Sequence, residues 1–367
     1  MDALTPPPRR VALVLLNLGG PDSPAAVRPF LTNLFQDPAI LRVPGFIRPW
    51  LGWLIAARRT KVATENYAIL GGKSPLLELT REQAAALEAA LAPSIDARCF
   101  VAMRYWHPFS AETLREVRDW APEEVLLLPL YPQFSTTTTG SSLDAWAEAC
   151  RAAGYDVPTS TLCCWHSDAG YARATARLVT EAYSAARETL APGVPLRLLF
   201  SAHGLPESIV KAGDPYQWQI EQTVAAVVEH LAIEGLDHLV CYQSRATPQK
   251  WIGPSTEAEI ERAGREGTAL LVCPIAFVSE HSETLVELDV EYRDVAEKHG
   301  VPGYFRVPAQ NSDPGFIAAL ADLALGALGG GRALCSFAGG RQCPKRHADC
   351  PHTRQGAQGT APARAAA

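Results

Sequence analysis

Residues 270–292 read LLVCPIAFVSEHSETLVELDVEY, and this stretch decides the fold. Leu270 to Ala276 is an unbroken apolar run, too short to span a membrane and suited to a strand buried on both faces. From His281 the period becomes helical. At about 100° per residue, Leu285, Leu288 and Tyr292 share one face, while Glu283, Glu287 and Glu291 form a stripe on another. Strand, turn, helix is the expectation. Carboxylates at i, i+4 and i+8 repel one another by roughly a few tenths of a kcal/mol per pair. A solvated acidic face is the plain explanation. Two features point elsewhere: Val286 and Val290 flank the glutamates, and Glu280 and His281 stand at the turn before them. At the carboxyl end of a buried strand, where open α/β sheets place ligands, that set reads as a track for protons or a divalent cation.

Outward from this stretch, strand-like runs recur with helical segments between them: Val11–Asn17, Cys99–Tyr105, Val125–Leu130, Thr161–Trp165, Leu196–Ser201, Leu239–Tyr242 and Tyr304–Val307. Their order repeats. LLNLGGP at 15–21 parallels LLFSAHGLP at 198–206, VAMRYWHP at 101–108 stands where LVCYQSR does at 239–245, and LLLPLYPQFSTTTTGSSL at 126–143 matches LLVCPIAFVSEHSETL at 270–285. An α/β protein is expected, with two similar Rossmann-like lobes, each a four-stranded parallel sheet flanked by helices, facing each other across a cleft. The expected divisions are a disordered lead-in at 1–10, a first lobe at 11–190, a second at 191–330, a cysteine-rich tail at 331–352 and a disordered end at 353–367. Within the first lobe, residues 43–57 (VPGFIRPWLGWLIAA) are apolar and aromatic and are followed at once by Arg58, Arg59 and Lys61. A half-buried lid helix is the plain reading. A lip for a flat hydrophobic ligand, or for peripheral contact with a membrane surface, is the sharper one.

With 367 residues, 47% hydrophobic and 20% charged, the chain has the make-up of a soluble globular protein of two domains. A net charge of −6 argues against nucleic acid. Neither a signal peptide nor a spanning helix is read from the first residues, so a cytoplasmic location is expected. The turn LNLGGPDSP lacks the third glycine of a dinucleotide fingerprint, and no P-loop is present. STTTTGSS at 135–142 has the hydroxyls and backbone for cradling an anion, or for ordinary turn chemistry.

His203, in the turn FSAHGLPES after the fifth strand, is the leading chemical candidate. With the strand near Leu270 beside it, its imidazole faces Glu283, with Glu287 and Glu291 behind. One imidazole and one carboxylate hold a transition metal without closing its coordination shell, or relay protons. LLNLGGPD, RRTKVATENYAILGGKSPL, MRYWHP, LYPQFSTTTTGSSL, SAHGLP, CYQSR with WIGP, and SEHSETLVELDVEY occur in order between about Val11 and Gln310. Together they resemble the ferrochelatases, the last enzymes of haem synthesis, which insert Fe2+ into a porphyrin. The resemblance implies protoporphyrin IX as substrate, with coproporphyrin III or another tetrapyrrole as the alternative and a non-catalytic carrier as a third. It implies that His203 and Glu283 bind iron and take the pyrrole protons. Arg59, Tyr67, Ser74, Tyr105 and Trp251 match the porphyrin pocket. Glu280, Glu287 and Glu291 match the family's acidic track, with His281 beside them. Lys61 stands where many relatives have proline.

Nine cysteines in a reducing compartment are not expected as disulfides. Cys99, Cys150, Cys241 and Cys273 read as core residues. The tail, GRALCSFAGGRQCPKRHADCPH at 331–352, lacks apolar periodicity and is not expected to pack a core, yet carries Cys335, Cys343 and Cys350. With a fourth thiolate from Cys163 or Cys164 they suit a 2Fe-2S cluster or a four-thiolate zinc site, and His347 and His352 keep a mixed zinc site open. Some ferrochelatases carry such a cluster, so the resemblance favours 2Fe-2S.

Overall fold

The computed structural model describes residues 9–244 and 249–353. The lead-in to residue 8, Arg245 of the CYQSR motif and the end after residue 353 lie outside the described residues. Arg10, assigned by sequence to the disordered lead-in, instead opens the first strand.

The elements run β1 (Arg10–Asn17), α1 (Val27–Gln36), α2 (Arg48–Ile69), α3 (Leu76–Leu91), β2 (Asp96–Met103), α4 (Ser110–Trp120), β3 (Glu124–Pro129), α5 (Ser141–Ala153), β4 (Thr159–Leu162), α6 (Ala169–Thr189) and β5 (Leu196–His203). They continue α7 (Glu207–Lys211), α8 (Tyr216–Glu229), β6 (Asp237–Gln243), α9 (Thr256–Glu266), β7 (Ala269–Pro274), α10 (Tyr292–Lys298), β8 (Tyr304–Arg306), α11 (Pro314–Gly329) and β9 (Leu334–Cys335). Two π-helices interrupt the series, Thr136–Gly140 after β3 and Glu283–Glu291 after β7.

The strands form two parallel sheets, ordered β2-β1-β3-β4-β9 and β6-β5-β7-β8. The first four strands of each half therefore share one order, 2-1-3-4, which is the repeat seen in sequence. Each sheet is buried on both faces because successive side chains of a strand point to opposite sides. In β1, Val11, Leu13 and Leu15 pack toward α3 and α11, while Ala12, Val14 and Leu16 pack toward α4 and α5. In β5, Leu198, Phe200 and Ala202 join α6 and α8, and Leu199 joins α9 and α10.

Three sequence expectations are corrected. The first sheet has five strands, because Leu334 and Cys335 of the tail pair with Thr161 and Leu162 and are buried; two apolar side chains suffice to dock an edge strand too short to show a period. Helix α11 lies within residues 191–330, yet Phe316, Ile317 and Leu320 pack into the core of the first sheet, capped at the helix start by the Asp313 carboxylate. The acidic segment is π-helical rather than α-helical, and Val286, not Leu285, is fully buried with Leu288 and Tyr292.

Candidate active site

The pairing of β5 with β7, Leu196↔Ala269 through Ser201↔Pro274, brings the carboxyl ends of these strands side by side. His203 is the last residue of β5. Gly204 must follow it, since a Cβ there would lie 2.8 Å from the Gln243 carbonyl oxygen and 3.2 Å from the Trp251 ring. The His203 Nδ1 lies 2.7 Å from the Gly204 carbonyl oxygen, which only accepts, so Nδ1–H donates and the lone pair is on Nε2. That Nε2 is 3.7 Å from Glu283 Oε1, too far for a hydrogen bond and close enough for both atoms to meet one cation. Both side chains are about one-third exposed, 37% and 31%. Tyr216 fixes the base of the imidazole by donating to the His203 carbonyl oxygen at 3.1 Å.

The π-helix turns one acidic face along this opening. Hydrogen bonding from i to i+5 widens each turn, so residues four apart stack more nearly in line than on an α-helix. Glu287 accepts from Gln243 Nε2 at 2.9 Å, Ser244 Oγ at 2.5 Å and Tyr292 Oη at 3.1 Å. Burial, and then the charge of Glu283, raise its carboxyl above the usual range. Glu291, at the exposed end, accepts from Asn66 of α2 at 3.0 Å. Glu280 differs. Burial works to raise its carboxyl, but Arg306 at 2.8 Å and the Ala309 N–H at 2.9 Å prevail and hold it low. His281 is buried and its pKa is lowered by that burial; its Nδ1 accepts the Glu283 N–H at 3.1 Å and so caps the π-helix as a neutral ring.

The first lobe supplies the opposite wall. Tyr67 and Ser74 meet around Gly20, where a Cβ would fall 2.5 Å from Ser74 Oγ, so the second glycine of LGGP leaves room for the serine. Burial pushes the Tyr67 hydroxyl up to about 12, and it lies 3.4 Å from Ser282 Oγ beside the π-helix. Trp251 packs over the His203–Gly204 turn. Arg59 is exposed, with its guanidinium 5.6 Å from the Phe35 ring. Tyr105 is a correction: it is 0% exposed and its hydroxyl donates to Asp37 at 2.8 Å, so it braces the wall from behind rather than lining an opening. Arg306, Gln243, Ser244 and Asn66 carry no assignment from sequence.

Among the described residues, no three His, Cys, Asp or Glu side chains already form a set that could hold a metal ion. The tail cysteines nevertheless converge. Cys335, Cys343 and Cys350 are buried free thiols beside buried Cys163 and Cys164. A hydrogen bond from Cys343 to Cys350 pushes the first thiol up and lowers the second to about 7. Cys164 is close enough to Cys335 and Cys343 to act on both electrostatically, and the Cys163 N–H donates to the Cys335 carbonyl oxygen at 2.8 Å. Gln219 of α8 donates to Cys343 Sγ at 3.1 Å.

Phe46, Trp50 and Trp53, at 86%, 64% and 48% exposure, put the apolar lip on the surface, and Arg28 lies over the Trp53 ring at 5.1 Å. Among the described residues no helix is long and apolar enough to cross a membrane.

Residues 10–328 match the family described as Ferrochelatase. The chain is 52% identical over 354 residues to a ferrochelatase of Caulobacter vibrioides (strain NA1000 / CB15N), covering 95% of this chain and 99% of that one. It is 52% identical over 346 residues to one of Phenylobacterium zucineum, covering 93% and 97%, and 51% identical over 348 residues to one of Hyphomonas neptunium, covering 94% and 95%. With this likeness running through both sheets and the acidic π-helix, the chain belongs to the ferrochelatase family, lyases of haem synthesis that insert iron into a porphyrin.

Proposed function

We propose that the porphyrin is protoporphyrin IX, with His203 and Glu283 the pair at which Fe2+ replaces the two pyrrole protons. The supporting observation is the free lone pair on His203 Nε2, 3.7 Å from the Glu283 carboxylate and facing the same opening. A porphyrin is flat and apolar, and Trp251, Tyr67 and Ser74 offer it a wall with hydroxyls at the edge; Arg59 supplies a cation for a propionate. The reaction is balanced: the metal-free ring and Fe2+ give the iron porphyrin and two protons. His203 Nε2 accepts a pyrrole proton in this reading. Glu283 attracts the cation, and Glu287, whose raised carboxyl favours protonation, carries protons on toward exposed Glu291. Glu280, held ionised by Arg306, supplies fixed negative charge rather than a relay step. Fe2+ insertion into protoporphyrin IX and coproporphyrin III, compared side by side, tests the substrate: faster metallation of protoporphyrin is expected, and faster metallation of coproporphyrin overturns it.

The tail is proposed to hold a 2Fe-2S cluster on Cys164, Cys335, Cys343 and Cys350. Four buried thiols with an amide N–H directed at them suit thiolate ligands in an electron-rich centre. Such a cluster supplies one-electron redox chemistry when bound. The unpartnered Nε2 atoms of His347 and His352 favour a second reading, a mixed Cys/His zinc site. Anaerobically purified protein is expected to be coloured, with the visible absorption of iron–sulfur charge transfer. A colourless protein with one zinc per chain contradicts the cluster. The exposed lip is proposed to seat the protein peripherally on a membrane surface, with its cations at the headgroups.

A further inference from the structure

We propose that Gln219 is a hydrogen-bond donor to a sulfur of the tail centre, that of Cys343, and that it raises the reduction potential of the cluster held there. The inference rests on the cluster reading above.

Gln219 lies in α8 and is 0% exposed. Its amide orientation is fixed by chemistry: Oε1 is 2.7 Å from the backbone N–H of Phe134, which can only donate, so the NH2 group faces the other way. There it meets sulfur. Nε2 is 3.1 Å from Cys343 Sγ. The amide thus joins a thiol of the tail to the backbone of the protein body at Phe134. Leaving a buried N–H without a partner is costly, and a neutral thiol is a weak acceptor for it. A ligating thiolate is a charged acceptor and matches the donor.

Reduction adds one electron to the cluster, taking one Fe3+ to Fe2+ and making the sulfurs more electron-rich. Donors to sulfur stabilise that form most, which moves the potential upward. The backbone link to Phe134 explains why glutamine suits the position: its oxygen holds the amide while its NH2 group faces sulfur.

The test uses the full chain, purified anaerobically, as wild type, Gln219→Leu and Gln219→Glu. Each is poised with dithionite as reductant while the visible absorption is read. Both variants are expected to keep the chromophore and to show a midpoint potential below that of wild type. The glutamate variant retains the acceptor for Phe134 while losing the donors, so a drop there separates donation to sulfur from loss of the scaffold. Coloured variants with the wild-type midpoint overturn the inference. So does loss of the chromophore from both variants with the fold intact by circular dichroism, which would make the amide a scaffold alone. A colourless wild type overturns the cluster reading beneath it, leaving iron insertion untouched.

Discussion

Glu280, buried, and Glu287, partly buried, stand on either side of Glu283, and their surroundings treat them oppositely. Arg306 joins Glu280 at 2.8 Å and Asp289 at 2.7 Å, with only 11% of its own side chain exposed. Removing that guanidinium strands two carboxylates in a low-dielectric site, so Arg306→Leu is expected to cost about 3 kcal/mol at pH 7. The pH dependence follows from the lowered carboxyl of Glu280. A depressed folded pKa gives stability that is full above the ordinary value of 4.5 and is lost as pH falls through the folded one. In the variant burial remains and raises the carboxyl instead. The gap between wild type and variant, read from urea unfolding, should therefore narrow as pH falls, starting above the ordinary value of 4.5 where the variant carboxyl takes up its proton and continuing below it as wild type loses stability; a gap independent of pH contradicts the account. His203 and Glu283 were legible in sequence because the Gly-Pro turn and the break in period marked strand ends. Arg306 was not, because a single arginine in a short strand looks the same whether it faces water or two acids.

The elements at each strand end carry the chemistry. A π-helix follows β3 and another follows β7, at matching places in the repeat. The sequence showed the acidic stripe and its place, but not the π-helical turn, since glutamates four apart suit either geometry. Helix α2 is the other element with a job. It touches the π-helix through Asn66 and Tyr67 and carries Trp50 and Trp53 on its outer side. Fully burying side chains of this size yields roughly 1.5–3 kcal/mol each, enough together for reversible attachment. Wild type is expected to co-sediment with anionic vesicles. Phe46→Ser, Trp50→Ser and Trp53→Ser combined should remain in the supernatant while still metallating a dispersed porphyrin. Equal co-sedimentation of the two proteins contradicts a membrane role for the lip.

At the scale of the molecule, two sheets of the same strand order are bolted together by buried side chains. Gln83 donates to the carbonyl oxygens of Val278 and Asn311 at 2.9 Å, and Asp214 accepts from Ser135 and Thr136. The repeat made the lobes readable, because strands buried on both faces are continuous apolar runs. The bolts were not readable: a buried glutamine or aspartate has no period and is defined by a partner 78 to 228 residues away. The tail was misjudged for a related reason, since its order comes from docking against β4 and α8 rather than from a core of its own. This architecture brings one imidazole and one carboxylate, His203 and Glu283, to 3.7 Å of each other, the pair proposed to carry iron insertion. The direct test measures porphyrin binding by fluorescence quenching and Fe2+ insertion by the appearance of the haem band, for wild type, His203→Ala and Glu283→Ala. Both variants are predicted to bind porphyrin within a few-fold of wild type while insertion falls by about 100-fold or more; insertion at the parent rate in both would contradict the roles given to this pair.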